Sequence, residues 1–324
     1  MDGGEDGGVA VSFRRRYLVA CLTGNGIGPE VMAEASRALA QVSRLHGFLI
    51  DEVHPPFGAE ATARSGHPLP AATRHAALRA DAVLVAGATE PALDGVRAEL
   101  DLAVSVTRVL RADGGELTVF APLADDGADW ALERAFACAR ATRGRLVTVG
   151  VAPDWHRLVA TVAARHDGVE VVDLPLARAL DALTRAPGEL GVVVTERVLA
   201  DALAGAPSLG GGAPAMRASG LLSPSGPGLY GPTHGSAHDI AGLGVANPSE
   251  MLLAAALMLG EGLGRRAAAA TLEGSLAAAL RRPTRTPDLA GPGKAAGTRE
   301  FVDVVLGLLP TMRADTEFAL GGAA

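Results

Sequence analysis

Short apolar runs alternate with helical stretches along most of this chain, and that alternation is what most restricts its fold. Tyr17–Leu22 reads as a buried strand closed by the Gly24–Gly28 turn. Pro29 stands in a first helical turn, where its missing N–H is tolerated, and Glu30–His46 has helical spacing. Helical Ala71–Ala80 leads to the apolar strand Ala82–Ala86. Arg145–Val151 and Val169–Val172 are β-branched runs separated by helical Asp154–Arg165, and Leu190–Thr195 (LGVVVT) precedes helical residues from Glu196. Strands that alternate with helices pair mostly in parallel, so an α/β architecture is expected. Residues 205–228, rich in Gly, Pro and Ser, read as a long loop. Pro248–Ala279 reads as helical, Thr284–Thr298 as a Pro/Gly loop and Arg299–Leu309 as a last amphipathic helix.

Composition narrows the chemistry. The 29 basic residues include one Lys, Lys294, and there are two Tyr (Tyr17, Tyr230) and two Cys (Cys21, Cys138). A Lys base can only be Lys294, and two Cys cannot build a disulfide framework or a four-thiolate zinc site. Both Cys read as buried small hydrophobes. With 48% hydrophobic but 3% aromatic residues, the cores must be built from Ala, Val and Leu. A length of 324 residues suits two domains. The net charge of −7 argues against nucleic acid as a partner. The longest apolar stretch, Met251–Gly260, is too short to span a bilayer, so no membrane partner and a cytoplasmic location are expected. The acidic, Gly-rich start does not read as a signal peptide, and residues 1–16 are expected to be a disordered tail.

Two loops carry a chemical signal. Leu22–Glu30 joins a strand to a helix start, where backbone N–H groups can receive an anion or a ribose. Residues 228–248 place His234, Ser236, Asp239 and Asn247 in a Gly-rich segment that opens into a helix at Pro248. Such a loop can wrap an adenosine, with a His to stack, a carboxylate for ribose hydroxyls and an Asn for the base edge.

Together the two loops, LTGNGIGPEV and HGSAHDIAGLGVANP, resemble the isopropylmalate/isocitrate dehydrogenase family of β-decarboxylating dehydrogenases. Asp81–Ala86, the spacing of Glu90, Arg97 and Asp101-Leu102, Val193–Glu196 and Pro292–Phe301 are also similar to family segments, so the resemblance covers roughly residues 17–310. It implies two domains around a central cleft, with a mostly parallel sheet in the large domain. Residues 17–100 and 225–324 would form the large nucleotide-binding domain, and 101–224 a small domain with a truncated arm. It implies NAD binding through Glu90, His234, Gly235, Ser236, Ala237, Asp239 and Asn247. Arg97 and Arg108 would bind substrate carboxylates, and Asp173 and Asp201 a Mg or Mn ion. The activity implied is NAD-dependent oxidative decarboxylation of a malate-type 2-hydroxy acid by a dimer.

The proton-transfer groups of that reaction are missing. Where the family keeps its Lys, this chain reads Val149-Gly150-Val151-Ala152-Pro153-Asp154-Trp155. Where the family has a Tyr-bearing arm, the stretch between Leu110 and Trp130 is far too short and holds no Tyr. Glu116-Leu117-Thr118 keeps an ELT fragment, but the Arg expected before it is Gly115. The third metal carboxylate is replaced by Gly205, and the second substrate Arg falls at Thr107, one residue before Arg108. Bland roles compete with the survivors. Asp201 can serve a helix dipole, Asp173 can be an N-cap before Pro175, and Arg97 can be a solvated helix residue. His238, where the family has Pro, can be a surface loop residue. Trp155 and His156 can wall a pocket or cap a core. Three readings stay open: a divergent dehydrogenase; a noncatalytic homologue (a pseudoenzyme) that binds a nucleotide or small carboxylate, as a homodimer or beside an active paralogue; and a scaffold recruited to other chemistry.

Overall fold

The strand–turn–helix opening forms where its sequence places it, in a computed structural model that describes residues 15–87, 92–113, 115–208, 214–290 and 295–310. Glu90, Lys294 and the tail before residue 15 lie outside the described residues. β1 (Arg16–Leu22) starts one residue inside the expected tail, and α1 (Gly28–Leu45) carries its Pro in the first turn. There follow β2 (Leu49–Val53), α2 (Ala59–Ser65), α3 (Ala71–Arg79), β3 (Ala82–Val85), α4 (Ala92–Glu99), β4 (Val104–Arg111) and β5 (Glu116–Pro122). Then come α5 (Ala128–Ala141), β6 (Arg145–Val149), α6 (Pro153–Ala163), β7 (Glu170–Asp173), α7 (Leu176–Arg185), β8 (Gly191–Thr195) and α8 (Ala200–Gly205). β9 (Ala215–Leu222), β10 (Gly228–Pro232), α9 (Ser249–Leu257), α10 (Arg266–Leu280) and α11 (Thr298–Gly307) complete the fold.

All ten strands join one sheet, in the order β2-β1-β3-β10-β9-β4-β5-β8-β6-β7. Pairing is parallel in both flanks and antiparallel at the centre, where β10–β9, β9–β4 and β4–β5 meet. The strands from 16–85 and 228–232 occupy one flank, and those from 104–222 the rest. β4 and β5 pair from Val104↔Pro122 to Leu110↔Glu116, so they form a tight hairpin with no excursion.

The sheet is covered on both faces, as its apolar strands require. Buried Ala, Val and Leu dominate, with Phe48, Phe120, Phe136, Phe301 and Tyr230 as the large plugs. Every residue of α9 is buried except Glu250, which suits a helix enclosed between the sheet, α1 and α10. Cys21 is buried and Cys138 half-buried, both as free thiols.

One expectation is corrected and one is refined. Residues 205–228 are not one long loop, because they hold β9 and the start of β10. β9 alternates buried and half-buried residues at period two, but its inward residues include Ala218 and Gly220, whose small size reads as loop. Gly220 is required there, since a Cβ would lie 2.9 Å from Val106 Cγ1 and 3.0 Å from the Tyr230 ring. Pro248–Ala279 is helical, as expected, in two segments. A π-helical turn, Met258–Gly262, and Gly264 at φ +65° separate α9 from α10.

Candidate functional site

The first Gly-rich loop turns through two left-handed glycines, Gly24 at φ +65° and Gly26 at φ +58°. Gly26 leaves room for a backbone crossing: a Cβ on it would lie 1.8 Å from the Ser236 carbonyl oxygen. The Ile27 N–H donates to that carbonyl at 2.9 Å, so the first loop grips the second directly. Asn25 Oδ1 accepts the Ala59 N–H at 2.8 Å. Glu30, in the first turn of α1, accepts the Gly244 N–H through Oε2 at 3.1 Å.

The second loop, residues 233–247, is held along its length. Glu250 Oε2 accepts the Thr233 N–H (2.9 Å), the Thr233 hydroxyl (3.1 Å) and the His234 N–H (3.1 Å). Its Oε1 accepts the Arg217 N–H at 3.0 Å. Thr298 donates its N–H to Gly244 O at 2.8 Å and its hydroxyl to Ala246 O at 2.7 Å. Among the described residues, Ala237 is the one non-glycine in the left-handed region, at φ +38°. Backbone strain of this kind persists only where surrounding contacts enforce it.

Within this frame His234, Gly235, Ser236 and Ala237 are half-buried and consecutive, and His238 and Asp239 are exposed. His234 Nδ1 lies 3.0 Å from Gly235 O, while its Nε2 is buried with no hydrogen-bond partner. Glu30 Oε1 is buried and unpartnered too. Each of the two linked loops thus holds one buried polar atom without a hydrogen-bond partner, a state that such atoms normally avoid. Asn247 faces other work. Its Oδ1 accepts the Ser249 N–H at 2.9 Å, at the start of α9, and its Nδ2 donates to Asp288 at 2.8 Å. Glu250 and Thr298 were not singled out from sequence. The one local signal for Glu250 is an acidic residue in a first helical turn.

The carboxyl ends of β6 and β8 form a second centre. A Cβ on Gly150 would lie 2.1 Å from the Trp155 ring, so the indole folds over that glycine. The Trp155 indole N–H donates to Thr148 Oγ1 at 2.9 Å, and the side chain is buried: it caps a core. Glu196 Oε1 accepts the Val151 and Ala152 N–H groups at 2.9 and 2.8 Å, closing the turn where a Lys was sought. Asp173 ends β7, exposed, with His156 Nδ1 at 3.4 Å. It is not an N-cap, because α7 is preceded by Pro175 and has no side-chain cap. Asp201 is exposed in the first turn of α8. At Gly205, where a third carboxylate was sought, a Cβ would lie 3.8 Å from the Arg217 guanidinium.

The two candidate substrate cations are separately engaged. Arg97 is an exposed α4 residue paired with Asp94 at 3.1 Å. Arg108 donates to Thr118 (2.6 Å), Glu116 (3.2 Å) and Glu273 (2.7 Å). Burial opposes its charge, but the Glu273 and Glu116 carboxylates outweigh that and raise its pKa.

Known proteins bear on this arrangement. The sequence profile described as isocitrate/isopropylmalate dehydrogenase matches residues 18–108 and 127–305. The unmatched 109–126 contains the β4–β5 turn. The chain is 32% identical to a 3-isopropylmalate dehydrogenase of Synechococcus sp. (strain CC9605), covering 86% of this chain and 95% of that one. It is 31% identical to 3-isopropylmalate dehydrogenase 2, chloroplastic, of Arabidopsis thaliana, covering 92% and 89%. Among solved structures, a β-decarboxylating dehydrogenase from Thermococcus kodakarensis, in its apo form, superposes with a TM-score of 0.76 at 26% identity, over 90% of this chain and 96% of that one.

Proposed function

The chain belongs to the isocitrate/isopropylmalate dehydrogenase family, and from that premise we propose that it is a nucleotide-binding homologue without the family's proton-transfer pair. The observation that carries this reading is the contrast between two centres. The cradle of His234–Ala237 is built and braced, with His234 Nε2 and Glu30 Oε1 buried and unpaired. The centre where a Lys belongs is closed by Trp155 and Glu196.

NAD fits the first centre. His234, Gly235, Ser236, Ala237 and the exposed Asp239 would hold its adenosine part, and Glu90 its nicotinamide end. When bound, the cofactor would accept hydride from a 2-hydroxy acid. Asn247 would act through the backbone it positions, since its side chain is spent on Ser249 and Asp288. A Mg or Mn ion would keep Asp173 and Asp201 as its carboxylates, with Gly205 where the third is expected. Asp173 leans on His156, and a guanidinium approaches the position of the third carboxylate. Losing each proton-transfer group costs about 10²–10⁴-fold, so the family rate is not expected.

In this reading the partners are a nucleotide or small carboxylate and a second subunit, the chain's own copy or an active paralogue. No helix among the described residues is long and apolar enough to cross a membrane. Calorimetric titration with NAD and NADP, run beside an absorbance assay with NAD, Mg²⁺ and 3-substituted malates, tests the reading. Nucleotide binding with a flat absorbance trace is expected. Steady NADH production, or no binding of either nucleotide, would overturn it.

A further inference from the structure

β2 lies at one edge of the sheet, beside β1. Their register pairs Val19 with Glu52 and Ala20 with Val53, so His54 stands level with Cys21. Strand alternation then turns Val19, Cys21, Glu52 and His54 to one face. That face is roofed by α1, whose Ser36 hydroxyl donates to Glu52 Oε2 at 2.6 Å. His54 Nε2 lies 3.1 Å from the same oxygen. One ligand atom each from Cys21, Glu52 and His54 lies within 4.8 Å of the other two. None of these residues has a part in the nucleotide reading above.

The geometry points to a zinc site formed by Cys21 Sγ, a Glu52 carboxylate oxygen and an imidazole nitrogen of His54, with water in the fourth position. Thiolate, imidazole and carboxylate are the donors zinc takes, in tetrahedral array at about 2.0–2.3 Å, which puts donors roughly 3.5 Å apart. The residues need to close by only about 1 Å from the 4.8 Å limit, and the exposed His54 imidazole already sits 3.1 Å from Glu52 Oε2. Charge also favours the ion: Zn²⁺ with one thiolate and one carboxylate is neutral, which suits a half-buried place. On binding, the Cys21 S–H bond breaks, a Zn–S bond forms, and one proton leaves to solvent per ion. Cys21 is one residue before Leu22, where β1 ends and the loop that grips Ser236 begins. The ion would therefore tie the edge strand to the base of that loop.

The full-length chain, stripped with a chelator, is titrated with Zn²⁺ and separately with Co²⁺. One Zn²⁺ per chain is expected, with Tm raised by about 5 °C at a free concentration near a hundred times Kd. Co²⁺ should give thiolate-to-cobalt charge-transfer absorption in the near ultraviolet. Cys21→Ser should abolish that absorption and Cys138→Ser should leave it. His54→Ala, at an exposed position that folding does not need, should weaken Zn²⁺ binding at least tenfold and decides the matter if Cys21→Ser misfolds. No zinc-dependent Tm, a charge-transfer band that survives Cys21→Ser, or unchanged affinity in His54→Ala would each overturn the site.

Discussion

Glu250 is where the second loop is most exposed to a single substitution. Its two carboxylate oxygens receive three backbone N–H groups, from Arg217, Thr233 and His234, and the Thr233 hydroxyl. Hydrogen bonds to a charged acceptor contribute roughly 1.5–3 kcal/mol each, but groups that share one carboxylate do not add. Water can reach part of this half-buried site, so Glu250→Ala should cost about 3–5 kcal/mol. Glu250→Gln keeps one oxygen, which best serves the Thr233 and His234 side. Its NH₂ then faces the Arg217 N–H, donor against donor, and the expected cost is about 2 kcal/mol. With a urea m-value of about 3 kcal/mol/M, the midpoint should fall by more than 1 M for Ala and by about 0.6 M for Gln. Hydrogen exchange should accelerate at Thr233 and His234 in both variants. An Ala variant within about 0.3 M of wild type at unchanged m, or one with unaltered protection at those amides, would refute the claim that this carboxylate holds the loop.

Gly26→Ala should destabilise by roughly 2–3 kcal/mol, from left-handed backbone strain plus the lost Ile27–Ser236 hydrogen bond; urea unfolding reads this, and an unchanged midpoint contradicts the close crossing. Arg108→Met strands two carboxylates and should cost about 3–5 kcal/mol, whereas Arg108→Met with Glu273→Leu should recover part of that loss in a double-mutant cycle. Burial lowers the His46 pKa from its ordinary 6.5, so the stabilisation it gives is complete above that pH and is lost as pH falls through the lower folded value. His46→Gln, which can keep the contact with Thr271, should accordingly lose less stability than wild type between about pH 7 and 5 by denaturant unfolding.

Most parallel flank strands were legible as apolar runs, such as LVAC in β1 and VVV in β8, whereas the edge strand β2, LIDEV, half-buried throughout, shows no such run. The antiparallel centre was not. β9 and β10 are built around Gly220 and Gly231, whose missing Cβ atoms make room for Tyr230 and for the Val85 carbonyl. Tertiary closeness selected those glycines, and a local reading takes them for turns. The loops of the candidate site announced themselves through Gly24–Gly28 and His234–Asn247, because their polar residues are clustered in sequence. What braces them did not, because Glu250 reaches back from the first turn of α9 and Thr298 acts from the start of α11, 52 residues past Ala246. Trp155 was visible as a residue, but that it seals the turn over Gly150 depends on a contact no spacing encodes.

The two ends of the ten-stranded sheet carry a consequence for solubility. An open sheet edge is a template on which another chain can build. Here the terminal strands are among the shortest, β2 with five residues and β7 with four. Both carry acidic residues, Asp51 and Glu52 on β2 and Glu170 and Asp173 on β7, of which Asp51 pairs with Arg16 and Glu170 with Arg145. A second copy that approached edge to edge would bring carboxylates against carboxylates, on a chain that already carries a net −7. Short, acidic terminal strands therefore work against edge-to-edge growth of the sheet that gives this protein its scaffold.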